Sequence, residues 1–151
     1  PDLPQPDDER TAIETALWNS LDERAAGVAG AGMLALNRLA GRYVNIDKAR
    51  LAEKVQKLAG SGNPMQIRVT AMQLCGSLGV ASMLPEARVV AQTGETVPLR
   101  MAAVGMLGQM GTADDVELLQ GLANGSDKPV KTAATYALKA LKAGPAPEPK
   151  K

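Results

Sequence analysis

Ile67-Arg68-Val69-Thr70-Ala71-Met72-Gln73-Leu74-Cys75-Gly76-Ser77-Leu78-Gly79 returns 32 residues later as Leu99-Arg100-Met101-Ala102-Ala103-Val104-Gly105-Met106-Leu107-Gly108-Gln109-Met110-Gly111. A third version starts 31 residues further on, Val130-Lys131-Thr132-Ala133-Ala134-Thr135-Tyr136-Ala137-Leu138-Lys139-Ala140-Leu141. Each copy opens with an apolar residue and a base, then sets an alanine at one position (Ala71, Ala103, Ala134) and leucine-type residues at helical spacing. Self-similarity at a period of about 30 residues marks stacked helical repeats, whose units bury their apolar faces against their neighbours.

Working outward, capping and stop signals predict eight helices. Asp7 or Asp8 starts the first, which runs to about Trp18. Ser20 and Glu23 have the spacing of a capping box for a second helix from Leu21 to about Ala40. Asp47 caps a third, with Leu51, Val55 and Leu58 on one face. Asn63-Pro64 opens the fourth and Gly79 closes it; the fifth runs from about Ser82 to Gln92, with Pro85 near its start. Thr96 to Met110 forms the sixth, Thr112 with Asp115 caps the seventh, and Ser126 or Asp127 caps an eighth ending near Lys142. Helices two with three, four with five and six with seven then form three hairpins, with single capping helices at each end. The repeat domain spans 7–143, between a proline-rich leader at 1–6 and a proline-rich basic tail at 144–151.

With 2% aromatic residues and no Phe, the core must come from Leu, Val, Met and Ala, which suit close helix contact. Leu74, Cys75, Leu78, Met106, Leu107, Met110, Leu138 and Leu141 coincide across copies and are the expected core. Cys75 is alone, so no intramolecular disulfide can form, and its register is that of Leu107 and Leu138. Gly76 and Gly108 sit inside helices, where glycine costs about 1 kcal/mol against alanine; close backbone packing is the expected reason. Trp18 is expected to anchor the first helix. Arg68, Arg100 and Lys131 share a register and follow the cap-type residues Asn63, Thr96 or Glu95, and Asp127. A catalytic or phosphate-binding base triplet and a structural ladder of bases and caps would both use that register, and the spacing favours the ladder.

This pattern resembles HEAT-like repeats, in particular the short bacterial type also called phycobilisome-lyase-type HEAT repeats. The resemblance rests on the Leu/Ile-Arg-x-x-Ala-x-x-x-Leu-Gly-x-x-Gly string, the preceding proline and the Thr-Ala-Asp-Asp start of a second helix. It covers Asn63 to Leu141 well and Leu21 to Gly62 loosely. It implies an all-α fold, a right-handed α–α superhelix whose second hairpin helices line a concave surface where partners bind. The solvent-facing residues of those helices are the candidate partner-binding set: Lys48, Arg50, Lys54 and Lys57 on helix three, Glu86 and Arg88 on helix five, Asp114, Glu117 and Gln120 on helix seven. Their sign runs from basic to acidic, which suits a charged peptide or a second copy of the chain.

The chain has no histidine, so Ser-His-Asp and Cys-His arrangements cannot be assembled. The branch of HEAT-like oxygenases that holds iron through His-Glu pairs is excluded for the same reason. Seventeen bases against 16 acids leave a net charge of +1, without the basic surplus that non-specific nucleic-acid binding needs. The glycines of helix two follow no strand and no Gly-Lys-Ser/Thr occurs, so no phosphate loop is indicated. No run of about 18 apolar residues occurs that could insert into a membrane. The expectation is a non-catalytic scaffold that binds a protein or peptide, with no cofactor, no metal and no nucleic acid; self-association is compatible with it. The alternative is a small-ligand or chromophore-handling enzyme of the HEAT-like lyase/isomerase type, for which Tyr43 and Tyr136 are the available tyrosines. Proline-rich ends suit a tethered domain and favour an exported or envelope location.

Overall fold

A computed structural model describes residues 6–42 and 46–143. The basic tail, Tyr43 and all of the leader but Pro6 therefore lie outside the described residues. The elements are α1 (Pro6–Ser20), α2 (Ala26–Ala40), α3 (Lys48–Ala59), α4 (Met65–Leu78), α5 (Leu84–Thr93), α6 (Val97–Met110), α7 (Asp115–Ala123) and α8 (Lys128–Ala143). A 3₁₀ turn at Ala81–Met83 precedes α5. Among the described residues there is no strand, so the fold is all-α. The chain forms two compact units, residues 1–74 and 75–151, with the boundary inside α4.

In the first unit α1 packs on α2 and α2 on α3. Its core is Leu21, Met33, Leu36, Leu51 and Val55, all essentially inaccessible. Asp47 caps α3 as expected, its Oδ1 accepting from the Arg50 amide at 2.9 Å. The Asn63 amide donates to the carbonyls of Lys57 (2.9 Å) and Gly60 (3.3 Å), so it ties down the end of α3. The capping box at Ser20 and Glu23 is not formed. α1 runs on through Ser20, whose hydroxyl donates backwards to the Leu17 carbonyl at 2.6 Å. With that hydroxyl used, α2 starts only at Ala26, behind Ala25, which makes no side-chain cap bond.

In the second unit α6 packs against α5 and α8, and α8 also covers α7. The alanine register is fully buried at Ala103 and Ala134, as it is at Ala71 in the first unit. Glycines mark where the next helix arrives. A Cβ on Gly76 would lie 2.5 Å from Gln109 Oε1 and 3.2 Å from Met106 Cα; one on Gly108 would lie 2.8 Å from both Cα and Cβ of Ala137. In α8 the same register holds Lys139, which is exposed.

Gly79, at φ +72°, ends α4 in the left-handed conformation, with the Val80 amide donating to the Cys75 carbonyl at 2.9 Å. Gly111 ends α6 differently, in extended backbone at φ −60°, ψ 165°. There glycine is needed for space, since a Cβ would meet the Leu107 carbonyl oxygen at 2.3 Å.

Of the expected core, Leu74, Cys75, Met106 and Leu107 are buried, whereas Leu78, Met110, Leu138 and Leu141 are only half-buried. Leu78 and Met110 fall in the last turns of their helices. Leu138 matches Leu107 in register, but among the described residues no later helix covers it. Burial pushes the Cys75 thiol up to about 11, so it stays protonated and unreactive at neutral pH.

Leu107→Ala should destabilise by about 2–5 kcal/mol in denaturant melts, as fully buried leucine truncations do. Within the same helix, Gly105→Ala should stabilise by up to about 1 kcal/mol, because a Cβ at Gly105 meets nothing within 4 Å. Gly108→Val should instead destabilise by about 1–3 kcal/mol through overpacking against Ala137.

Candidate functional site

In the first unit, most of the expected basic residues are already engaged. Lys48 is exposed at the start of α3. Arg50 lays its guanidinium over the Trp18 ring, 4.2 Å from the centroid, a cation–π contact that fastens α1 to α3. Trp18 is 8% exposed, the anchor expected of it, and its indole N–H donates to Glu14 at 3.3 Å. Lys54 is half-buried and ion-paired with Asp22, so it is less accessible than its place on α3 suggests. Lys57 is exposed and bonds Glu53 one turn away at 2.7 Å, which holds the Glu53 carboxyl below its ordinary range. Trp18, Asp22, Arg50, Glu53, Lys54 and Lys57 together line a cleft of about 290 Å³. Three bases against two acids leave it close to neutral.

In the second unit, Glu86 is exposed. Arg88, expected to face solvent, is instead clamped on Asp115: Nε donates to Oδ1 at 2.6 Å and a terminal nitrogen to Oδ2 at 3.2 Å. Asp115 is 1% exposed, and its Oδ2 also accepts from the Thr112 amide at 2.8 Å. The expected cap of α7 is thus this reach-back carboxylate, serving as an ion-pair partner as well. The Arg88 hydrogen bond, with help from the Thr112 amide and against the effect of burial, holds the Asp115 carboxyl below the usual range.

Asp114 and Glu117 stay exposed, and with Gln92, Leu118, Gly121 and Leu122 they line an open cleft of about 390 Å³ between α5 and α7. Gln120 is exposed on α7 but is not part of that lining. The apolar floor, Leu118 and Leu122, was not singled out from sequence; their period-four spacing on the expected binding helix is the signal that could have found them.

Arg100, at the ladder position, meets the cap of α8. Its guanidinium is ion-paired with Asp127, which also caps α8 by accepting from the Val130 amide at 3.4 Å. Arg68 is 5% exposed, and Lys131 lies on the surface.

Because the Asp115 carboxyl is depressed in the folded state, its contribution is present above the unfolded value of about 3.9 and is lost as pH falls through the folded value. Asp115→Asn should lower the thermal midpoint at pH 7, costing about 1–3 kcal/mol, and should flatten the acid limb of a midpoint-versus-pH series. Arg100→Ala should lower stability while leaving partner binding per folded molecule unchanged, as a titration corrected for folded fraction would show.

No curated protein and no solved structure matches the chain. The family model for HEAT repeats matches residues 51–139, from α3 to most of α8 and hence more than half of the chain. The match does not reach down to a bacterial subtype. The first two copies, all but the end of the third, and the cap-to-base pairs fall within the matched residues, and the chain belongs to the HEAT repeat family.

Proposed function

We propose that this chain is a non-catalytic interaction scaffold that binds a protein or peptide through the second helices of its repeats. HEAT repeats commonly serve as protein-interaction scaffolds, and stacked repeats present extended surfaces for that purpose. The observation that carries the reading is the cleft between α5 and α7, where Asp114 and Glu117 stand exposed over Leu118 and Leu122. Charged rims over apolar floors suit protein contacts, where the core supplies affinity and the rim supplies orientation. Among the described residues no helix is long and apolar enough to cross a membrane.

The rival, a chromophore-handling enzyme of the lyase/isomerase type, finds no specific support: Tyr136 is 67% exposed with Lys139 over its ring, outside every cleft described above. The test is capture from the source cells with the wild-type chain and with the charge reversal Asp114→Lys/Glu117→Lys. A protein retained in stoichiometric amounts by the wild type and lost with the reversal is the expected result. A small molecule turned over by the purified chain, or a partner indifferent to every substitution on α3, α5 and α7, would defeat the scaffold reading.

A further inference from the structure

Gly121 stands apart from Gly76 and Gly108; it shares its open surroundings with Gly105 of α6, and it lines the cleft between α5 and α7. α7 is short, Asp115–Ala123, and glycine in the interior of a helix destabilises it relative to alanine. At Gly76 and Gly108 the cause lies inside the chain, where a neighbouring helix occupies the space of a side chain. At Gly121 an added Cβ meets nothing within 4 Å, and the residue is exposed. No contact among the described residues makes use of the missing side chain. A chain docking from outside would use it.

The surroundings of Gly121 specify the chemistry of that chain. Asp114, Leu118 and Leu122 follow one another at period four on α7, and Glu117 stands four residues before Gly121, so acids and apolar side chains flank the glycine on one face. α5 contributes a single base, Arg88, and Asp115 takes its guanidinium with both carboxylate oxygens. Arg88 also feels the charge of Asp114, yet the lining of the cleft itself carries two acids, Asp114 and Glu117, and no base. Gln92 donates to the Arg88 carbonyl at 3.1 Å, which leaves its own carbonyl oxygen as an acceptor. Val89, 60% exposed, lies three residues before Gln92 on α5 and extends the apolar surface.

We infer that the α5–α7 cleft is the docking site for a cationic segment of a partner protein. Asp114 and Glu117 receive its Lys or Arg side chains, Leu118 and Leu122 its apolar side chains, and Gly121 lets its backbone come close to α7. An acidic segment would meet uncompensated carboxylates and is rejected. This inference rests on the scaffold reading and narrows it to one cleft and one sign of charge.

The test uses fluorescence anisotropy with two labelled probes, a short amphipathic Lys/Leu peptide and its Glu/Leu counterpart, on the full chain. The Lys/Leu peptide should bind, more weakly as salt rises, and the Glu/Leu peptide should not. Gly121→Gln, which fills the cleft, and Asp114→Asn/Glu117→Gln, which neutralises it, should each weaken binding at least tenfold. The thermal midpoint of Gly121→Gln should equal or exceed that of the wild type, which separates a blocked cleft from an unfolded chain. Failure of the Lys/Leu peptide to bind, equal binding of both peptides, or affinity unchanged in both variants would overturn the inference. A protein partner held equally by the wild type and Gly121→Gln would also overturn it while leaving the scaffold reading in place. Absence of any protein partner for either chain would count against the scaffold itself.

Discussion

The structure depends on how closely one repeat helix can approach the next. At Gly76 and Gly108 the following helix sits where a side chain would otherwise be, with Met106 and Ala137 against the bare backbone. Dispersion falls off within a fraction of an ångström of a gap, so this approach is what lets small side chains such as Ala103 and Ala134 fill a core that has almost no aromatic residues. The penalty of a helical glycine is accepted where the packing gained exceeds it.

Polar ties complement the close packing. Arg88 reaches Asp115 and Arg100 reaches Asp127, both over 27 residues, and each acid also caps or braces the helix it stands on. One carboxylate thereby orders a helix terminus and joins it to the preceding repeat. This takes up Arg88 and leaves the neighbouring acids Asp114 and Glu117 exposed at the candidate cleft. On α7 the residue that ties the repeats together, Asp115, and those that line the candidate cleft, Asp114 and Glu117, are different ones.

Much of the fold was legible because repeats are: three aligned copies disclosed the helices, the buried alanines and the reason for the glycines before any coordinate. The caps at Asp47, Thr96 and Asp127 followed from local chemistry and appear as expected. Four expected core residues, Leu78, Met110, Leu138 and Leu141, proved only half-buried, because register says nothing of what covers a helix end or the last helix described. The other inferences that failed were ones in which one residue had two outlets. Ser20 fits a capping box, yet its hydroxyl turned back onto α1, and the pattern carries no information about which helix it serves. Arg88 reads as solvent-facing from the periodicity of α5 alone, since its partner lies in another helix. Arg50 reads as surface charge until Trp18 is seen beneath it. For the candidate site, helical spacing was enough to find Asp114 and Glu117, but the open space at Gly121 is a property of three dimensions.

Lys139 occupies in α8 the register that holds glycine in α4 and α6. A bare backbone there would offer another molecule the kind of seat that α6 offers α8, a head-to-tail contact that builds a ring where its rotation closes and a filament where it does not. A long, hydrated, charged side chain at that one position withdraws the seat, and the exposed tyrosine beside it makes the surface still less flat. Among the described residues, then, the register that admits a neighbouring helix at α4 and α6 is filled at α8 by a side chain instead of bare backbone.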